Sequence, residues 1–595
     1  MALQSKLEIY IGETAITCFK KFTLNQKIDD HHHFELICRV DTIENPRSEI
    51  AIESKSFLNE IFIIQVSSVD FTEEYKELEF KGVVTSVNIA KGFHQSQGDI
   101  ITISGEGACI ITDDGSHYAS YTDSSLSDIL QDVFMGYDRS KLAMDITPRN
   151  NSPLHYCVQH NESAFAYASR LAAQYNEWFY YDGKKLVFGN PDQKKIKLRY
   201  RFDLHEFSLN LAPKPNTYIY CTTDYLLDEK HEKHSADIHT GLNGLNHFTT
   251  QKSESLFAKK TRVYVSSYDD PQLKQRFDQL IEQQKKATEL NQVIIKGKSD
   301  NPGVKLGSVI SIEDDEIGYG SFRITKVSHI VNENGKYRNE FEGVVSDSDI
   351  YPNTDLTAFP KSETQVAKVV ENADPKGLSR IKVQFFWQEP LGERTPWLRI
   401  VSPHAGTEKG FHFIPEIGEE VLIGFEGGNA EKPYVLGSLY NGVANPSGWK
   451  TNKNDIKAIR TRSGHTIELN DAKGSEFITI TDKNANIITI DTANNNITIT
   501  ALENMTLNAK NFKMNVKEDA VFNIGRNTTI YTENNFDTSS QNHTNTVENK
   551  MNTSVGRELI QNSGNAEIQS KQNIKIACGA TASFQGGGNV KISKG

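Results

Sequence analysis

The sequence has no run of about eighteen apolar residues, the length that a membrane-spanning helix needs. Its densest apolar stretch, residues 61–66, is only as long as a β-strand. The first residues alternate apolar and polar side chains from Leu7 and lack the continuous apolar segment of a signal peptide. We therefore expect a protein that is made in the cytoplasm without a secretory leader.

Cysteine is scarce and positive charge is not in excess. The chain has 65 basic and 77 acidic residues, a net charge of -12, and no basic stripe, which argues against nucleic acid as a partner. No two cysteines lie close enough in sequence to predict a zinc knuckle or a redox couple. We expect reduced thiols at all six: Cys18, Cys38, Cys109, Cys157, Cys221 and Cys578.

A length of 595 residues with 37% hydrophobic residues predicts several folded domains. Up to about residue 350 the apolar residues mostly recur with period two, as at Phe34, Leu36 and Cys38, which predicts a strand-rich α+β region. Apolar spacings of three and four predict helices over 126–134 and 164–175. A third helix is expected after Asp270 and Pro271, with an apolar stripe of Leu273, Phe277, Leu280 and Ile281, ending before a strand at 293–295.

Residues 351–361 contain two prolines and no sustained period, which predicts a linker and a domain boundary near residue 358. A compact β pattern of about 90 residues follows. Its alternating apolar residues, separated by turns with glycine and proline, predict a small barrel. They are Ile381, Val383, Phe385, Trp387, Val421, Ile423 and Phe425.

The composition changes after Asn441, and residues 481–550 contain 16 asparagines and no proline. Short alternating apolar sets recur every seven to ten residues, which predicts short strands joined by turns, since asparagine tolerates the left-handed backbone of a tight corner. We predict that these sets form the core of a needle: Ile478, Ile480, Ile488, Ile490, Ile497, Ile499, Met505, Leu507, Phe512, Met514, Val516, Phe522 and Ile524, with Ile530 continuing the pattern.

Each of these strands has an apolar face that no helix or hydrophobic run in the sequence can cover. Further copies of the chain are expected to cover it, with strands intertwined between chains. A disordered asparagine-rich tail is disfavoured because strict alternation is not a feature of disordered segments. A monomeric β-helix remains open, because an alternating pattern does not reveal the number of chains.

Four segments of the second half resemble the VgrG family, the spike proteins of bacterial type VI secretion systems. They are AKVVENADPKGLSRIKVQFFW from Ala367, TPWLRIVSPHAG from Thr395, GFHFIPEIGEEVLIGFEGGNAEKPYVLGSLYNG from Gly410 and RSGHTIELND from Arg462. Upstream, VQHNESAFAYASRLAAQYNEWFYY from Val158 resembles the hub segment of the family, although Ala164, Tyr167 and Ala172 stand where bulkier or acidic residues are usual. The resemblance spans nearly the whole chain and is strongest over 360–480.

This resemblance implies a mainly β fold with an α+β hub over residues 1–357, similar to contractile-phage tail hubs and built from two barrel-like domains. It also implies an OB-fold over 360–445, a connector over 446–470 and a triple-stranded β-helix needle with its tip over 471–595. Three chains would form a pseudo-sixfold hub on a hexameric Hcp tube and carry a PAAR-type cone, effectors and baseplate contacts. The spike would then be expelled by sheath contraction into a target cell or the medium, touching membranes only transiently.

Candidate chemical sites are few, and we expect no catalytic residue, cofactor or metal. His31, His32 and His33 point in different directions as neighbours on a strand or loop, so a solvated loop is the favoured interpretation. The group His231, Glu232, His234 and His239 lacks the spacing of a zinc protease, because Ser235 stands where the second histidine is required. Gly586, Gly587 and Gly588 have no following lysine-serine pair or helix to form a phosphate loop, so a close-packed tip is favoured.

The sequence does not predict an enzyme, since it has no Gly-x-Ser-x-Gly motif and only about twenty residues separate Asn441 from Ser463, too few for an inserted domain. A cell-wall hydrolase, a trimeric adhesin and a spike of a phage-derived or extracellular contractile injection particle are the alternatives. The platform for a cone protein is expected at Ala577, Cys578, Phe584, Gly586, Gly587 and Gly588.

Overall fold

The computed structural model describes residues 5–45, 51–68, 77–92, 99–242, 244–265 and 272–593. The chain divides into two units, residues 1–499 and 500–595, which are described separately. Within the described ranges no helix is both long and apolar enough to span a membrane.

The first unit begins with an antiparallel sheet in which alternate side chains are buried, as the period-two pattern predicts. Phe22 and Leu24 on one strand, and Phe34, Leu36 and Cys38 on the next, are fully buried. The strands are β1 (Ser5–Ile11), β2 (Thr14–Ala15), β3 (Lys21–Lys27), β4 (His33–Arg39), β5 (Ile61–Ser68), β6 (Glu77–Ala90) and β7 (Ile100–Gly107).

Two of the predicted helices follow, and each is capped by a serine. Ser125 and Asp128 form a reciprocal capping box at the start of the first helix. Ser163 caps the second helix, which ends at Asn176 in the left-handed conformation, with φ 57°. The elements are β8 (His117–Ser124), α1 (Leu126–Val133), β9 (Ala143–Thr147), β10 (Leu154–Glu162), α2 (Ala164–Tyr175), β11 (Trp178–Tyr181) and β12 (Lys185–Gly189).

The third predicted helix is also present and buries Leu273, Phe277 and Ile281. Its proposed cap, Asp270 with Pro271, lies outside the described residues. The elements of this region are β13 (Lys195–Arg199), β14 (Leu204–Leu211), β15 (Tyr218–Asp224), β16 (Glu229–His234), α3 (Gly244–Leu256), β17 (Thr261–Tyr264), α4 (Leu273–Leu290), β18 (Val293–Ser299), β19 (Val309–Glu313), β20 (Gly318–Asn332) and β21 (Tyr337–Val345).

The two halves of the hub region share one 13-stranded sheet with the order β14-β18-β21-β20-β3-β4-β7-β6-β5-β1-β2, to which β13 and β19 attach through β20. Antiparallel pairing of β3 with β20, which sets Leu24 opposite His329, joins the halves. Ladder hydrogen bonds therefore connect residues about 300 positions apart in sequence.

The predicted linker is instead packed against the hub. Tyr351 is fully buried, and its ring lies edge-on to Trp178 with centroids 5.5 Å apart. Its backbone N–H donates to Asn176 Oδ1 at 2.8 Å, and the same oxygen accepts from Thr354 Oγ1 at 3.1 Å. Two prolines therefore mark a connection held in place by an aromatic contact and an asparagine side chain.

A four-stranded sheet of order β23-β22-β26-β27 forms the small barrel. The alternation predicted that Trp387 continues the strand of Phe385. Trp387 lies instead in a 3-10 helix, Phe386–Leu391. Pro390 cannot donate to a strand ladder, and Gln388 Oε1 accepts from the Phe385 N–H at 2.9 Å instead. The strands are β22 (Gln365–Glu371), β23 (Lys382–Phe385), β24 (Ala405–Gly406), β25 (Lys409–Gly410), β26 (Glu420–Phe425) and β27 (Pro433–Ser438).

Polar contacts hold the barrel against the hub. Glu393 accepts from the backbone N–H and the hydroxyl of Ser120, both at 2.7 Å, and burial raises the pKa of this carboxyl. Arg170 pairs with Glu162 at 2.7 Å and with Glu431 of the barrel at 3.6 Å. Glu431 is buried and Arg170 is mostly buried, so replacing either partner would leave a charge without compensation. These contacts therefore hold the two domains together.

The first unit ends in an antiparallel meander of five strands in sequence order. They are β28 (Ile456–Arg460), β29 (Thr466–Asn470), β30 (Phe477–Thr481), β31 (Ile487–Asp491) and β32 (Asn496–Thr500). The second unit has no strand or helix in its described residues, 500–593, apart from the last residue of β32, and its side chains are all exposed.

Candidate assembly surface

The meander presents a continuous apolar face. Its register places Ile467 opposite Ile459 and Ile480, and Ile480 opposite Ile488. A second row is formed by Leu469, Ile478 and Ile490. Because side chains alternate across a strand, all of these residues lie on the same side of the sheet. The meander face is defined here as Ile459, Ile467, Leu469, Ile478, Ile480, Ile488 and Ile490, together with Ile497 and Ile499, the exposed alternating isoleucines of β32.

This apolar face is exposed in the single chain, whereas the apolar face of a sheet is usually the buried one. Ile480 is 49% exposed and Ile497 is 69% exposed, whereas Thr479 and Thr489 on the opposite side are partly buried. Contiguous exposed apolar surface of this kind marks an interaction site rather than an ordinary protein surface.

Aspartate and asparagine side chains fix the turns between these strands. Asp482 accepts hydrogen bonds from the backbone N–H groups of Asn484 and Asn486, both at 2.8 Å. Hydrogen bonds from the Asn486 side chain and these amides hold the pKa of Asp482 below its usual range. Ala485 and Asn495 adopt the left-handed backbone, with φ 70° and 59°. The asparagine-rich turns expected from the sequence are therefore present in the meander.

The second unit bends at regular intervals of seven or eight residues. The bends begin at positions 502, 510, 517, 525, 533, 541, 548, 556, 564, 571, 579 and 587. We call the positions five, three and one residues before each bend the pre-bend positions. No charged residue of 501–593 stands at a pre-bend position, whereas most of the apolar residues of this range stand at one. The same alternation that defines the meander face thus continues through the second unit.

The predicted needle residues fall into these two groups. Ile478, Ile480, Ile488, Ile490, Ile497 and Ile499 lie on the meander face, and Met505, Leu507, Phe512, Met514, Val516, Phe522 and Ile524 stand at pre-bend positions. Three further members of the meander face were missed by the sequence analysis, although alternation over 459–469 is visible in the printed sequence. At the C-terminal end, Cys578, Phe584 and Gly586 are at pre-bend positions, Ala577 lies between two of them, and Gly587 and Gly588 form the last bend.

The histidine triplet is not a solvated loop, as the sequence analysis expected. His31 stacks on Phe165 with centroids 3.9 Å apart, and His32 is fully buried. Burial lowers the pKa of His32 to about 3. The interpretation failed because His31 and His32 immediately precede strand β4, and the His32 side chain faces the core. His33 lies on the other side and contacts Glu106 at 3.0 Å.

The other histidine group also serves ordinary contacts. His234 Nε2 lies 2.9 Å from Glu232, which also pairs with Arg262 at 3.1 Å, and His231 is buried on β16. Among the described residues of this single chain, no group of three histidine, cysteine or acidic side chains is arranged to hold a metal ion.

Family profiles match the hub and the barrel of the first unit. The profile of the phage tail baseplate hub family matches residues 63–335. The profile of the type VI secretion system/phage-baseplate injector OB domain matches residues 365–440. Together the two profiles cover more than half of the chain. Two type VI secretion system spike proteins of Pseudomonas aeruginosa align along it. VgrG1b is 23% identical over 425 residues, which are 62% of this chain and 54% of the relative. VgrG1a is 22% identical over 414 residues, which are 60% of this chain and 61% of the relative.

The chain belongs to the VgrG spike family. It spans little more than half the length of the two relatives. The VgrG resemblance of the sequence is thereby confirmed, as is the mainly β fold with a phage-hub-like region and an OB domain. The structure of a Francisella PdpA-VgrG complex shares the fold, with a TM-score of 0.53 and 11% identity over 84% of this chain and 80% of that chain.

Proposed function

We propose that this VgrG-family chain is a homotrimeric puncturing spike of a type VI secretion system. The observation that carries the proposal is the uncovered meander face, whose apolar alternation continues through the regularly bent second unit without one charged residue at a pre-bend position. Three copies that point these positions at a common axis would bury the apolar residues and leave the charges outside. The result would be a closed needle in which no strand edge is free.

The remaining roles follow from this assembly. Three hubs of two halves each would offer six similar barrel-like units to a hexameric Hcp-type tube. The bends at the C-terminal end would close the needle with Ala577, Cys578, Phe584, Gly586, Gly587 and Gly588, where a PAAR-type cone protein would bind. Baseplate proteins would hold the spike, effectors would travel on it, and sheath contraction would drive it from the cytoplasm into a target cell or the medium.

In this proposal the chain acts mechanically and catalyses no reaction. The family members that align with it are named as spike proteins. A spike of a phage-derived or extracellular contractile injection particle would use the same stiff needle with another firing apparatus, and the phage-hub profile supports this alternative. Copurification of the chain with Hcp and PAAR proteins encoded beside it would favour the type VI assignment.

The number of chains tests the proposal directly. Native mass spectrometry of the full chain is expected to give three times the 66.8 kDa monomer mass. Ile480→Asp is expected to abolish the trimer, because it would place three carboxylates in the apolar interior. Thr479→Asp, one residue away on the opposite side of the sheet, is the matched control and is expected to leave the trimer intact. A folded monomer of the unaltered chain, or equal behaviour of the two variants, would contradict the proposal.

A further inference from the structure

One pre-bend position of the second unit carries an ionisable imidazole. His543 stands five residues before the bend at 548, and Asn545 and Val547 complete its set. The other pre-bend positions hold apolar, hydroxyl, amide, thiol or glycine groups, including Phe536 in the preceding set and Met551 in the following one. His543 is therefore an exception to a pattern that otherwise excludes every charged side chain of residues 501–593.

The inference rests on the proposed trimer, in which three copies of this set would face one enclosed space. Three imidazole rings there would have their polar nitrogens removed from water. No acidic side chain stands at a pre-bend position to accept a hydrogen bond from them. An imidazole ring can offer a nitrogen lone pair, and a buried polar group of this kind requires a partner. Asn545 adds three amide oxygens from the same set.

We propose that the three His543 imidazoles, together with the Asn545 amides, bind one divalent transition-metal ion on the needle axis. Imidazole nitrogen is a preferred ligand of Zn²⁺, Ni²⁺, Cu²⁺ and Fe²⁺, and amide oxygens can fill further coordination positions. One ion would satisfy the lone pairs of three chains at once. It would also link the chains halfway along the second unit, so that metal binding and trimer formation support each other.

The test compares the full chain with a variant that moves the imidazole out of the interior. The unaltered chain and a His543→Thr, Thr544→His double variant are produced without a histidine tag in medium supplemented with ZnCl₂, NiCl₂ or ferrous sulfate. The two proteins have the same composition. Metal content of the isolated trimer is measured by inductively coupled plasma mass spectrometry. We expect one metal ion per three chains in the unaltered protein and a loss of at least tenfold in the double variant.

Refolding provides a second measurement if the double variant does not assemble. The unaltered chain is denatured, stripped with EDTA and refolded with ZnCl₂ or with EDTA present, and a higher trimer yield with zinc is expected. A trimer that contains no more metal than the double variant, or that refolds equally well in EDTA, overturns the site and leaves water or an anion in the interior. Absence of a trimer from the unaltered chain instead overturns the proposed function.

Discussion

At the scale of single residues, the hub contains a buried polar network that joins its two halves. Gln26 on β3 lies 3.0 Å from both the His32 and the His329 rings, and His329 Nδ1 lies 2.7 Å from the Tyr337 hydroxyl. Asn339 donates to the same hydroxyl at 3.0 Å. Burial lowers the pKa of both histidines to about 3. The network therefore holds two neutral imidazoles where β3 meets β20.

This network predicts a loss of hub stability in acid. The unfolded chain protonates each imidazole near pH 6.5, but the folded chain does so only near pH 3, so unfolding takes up protons between these values. The free energy of unfolding should fall as pH drops through this window, by about 1.4 kcal/mol per pH unit for each histidine. His329→Gln should reduce that slope in urea unfolding followed at pH 7.5, 5.5 and 4.5.

The matched control for this prediction is His117→Gln. The His117 side chain is about half exposed and lies on β8, away from the network. Its slope is expected to match that of the unaltered chain. If His329→Gln and His117→Gln show the same pH dependence, the buried network does not account for acid sensitivity.

At the scale of elements, the turns of the meander set its register. Ala485 in the turn between β30 and β31 has a φ of 70°, a left-handed conformation that costs an L-alanine about 1–2 kcal/mol. The neighbouring turn carries Asn495 at the corresponding kind of corner, with φ 59°. Asparagine adopts this conformation more readily because its side chain can hydrogen-bond to the local backbone. Ala485 is therefore a position at which the natural residue is not the most stable one.

We expect Ala485→Asn to stabilise the meander by about 0.5–1 kcal/mol per chain, since it removes part of this backbone cost. The measurement is the thermal unfolding midpoint of the full-length protein, which should rise. Ala493→Asn is the control, because Ala493 is not among the residues with positive φ and should change the midpoint little. An unchanged or lower midpoint for Ala485→Asn would show that the turn does not limit stability.

Helices, strands and the amphipathic repeat could be predicted because each follows from short-range periodicity. The apolar spacing of α1 and α2, the apolar stripe of α4 and the alternation of β3 and β4 are all local signals. The β3–β20 pairing was not predictable, because no short-range pattern identifies partners 300 residues apart. The burial of His32 was missed for the same reason, since the groups that surround it come from distant strands. The regular bends of the second unit became apparent only from its backbone.

At the scale of the whole molecule, a rigid junction of hub and OB domain leads into the meander. The buried contacts of Ser120 with Glu393, and of Arg170 with Glu431, fix the barrel on the hub. Arg462, at the turn between β28 and β29, pairs with Glu416 of the barrel at 3.0 Å. Packed contacts therefore join the hub to the barrel, and an exposed ion pair connects the barrel to the meander.

The proposed cone-binding tip is expected to be separable from the residues that are proposed to form the trimer. A truncation that removes residues 575–595 should keep the mass of a trimer, because the meander face and most pre-bend positions remain. It should abolish capture of a purified PAAR-type protein in a pull-down assay. Removal of residues 594–595 alone is the control and should preserve capture. Undiminished capture by the shorter chain would refute the tip assignment.

The regular bends also constrain how such a protein can diversify. Segments of seven and of eight residues already follow one another with the same pre-bend pattern, because that pattern is counted back from each bend. Removal of part of a segment would place other residues at the pre-bend positions, whereas removal of a complete segment from one bend to the next would leave the pattern unchanged. Length variation among related spikes is thus expected to occur in quanta of seven or eight residues. The number of segments between bends would therefore determine the length of the proposed needle.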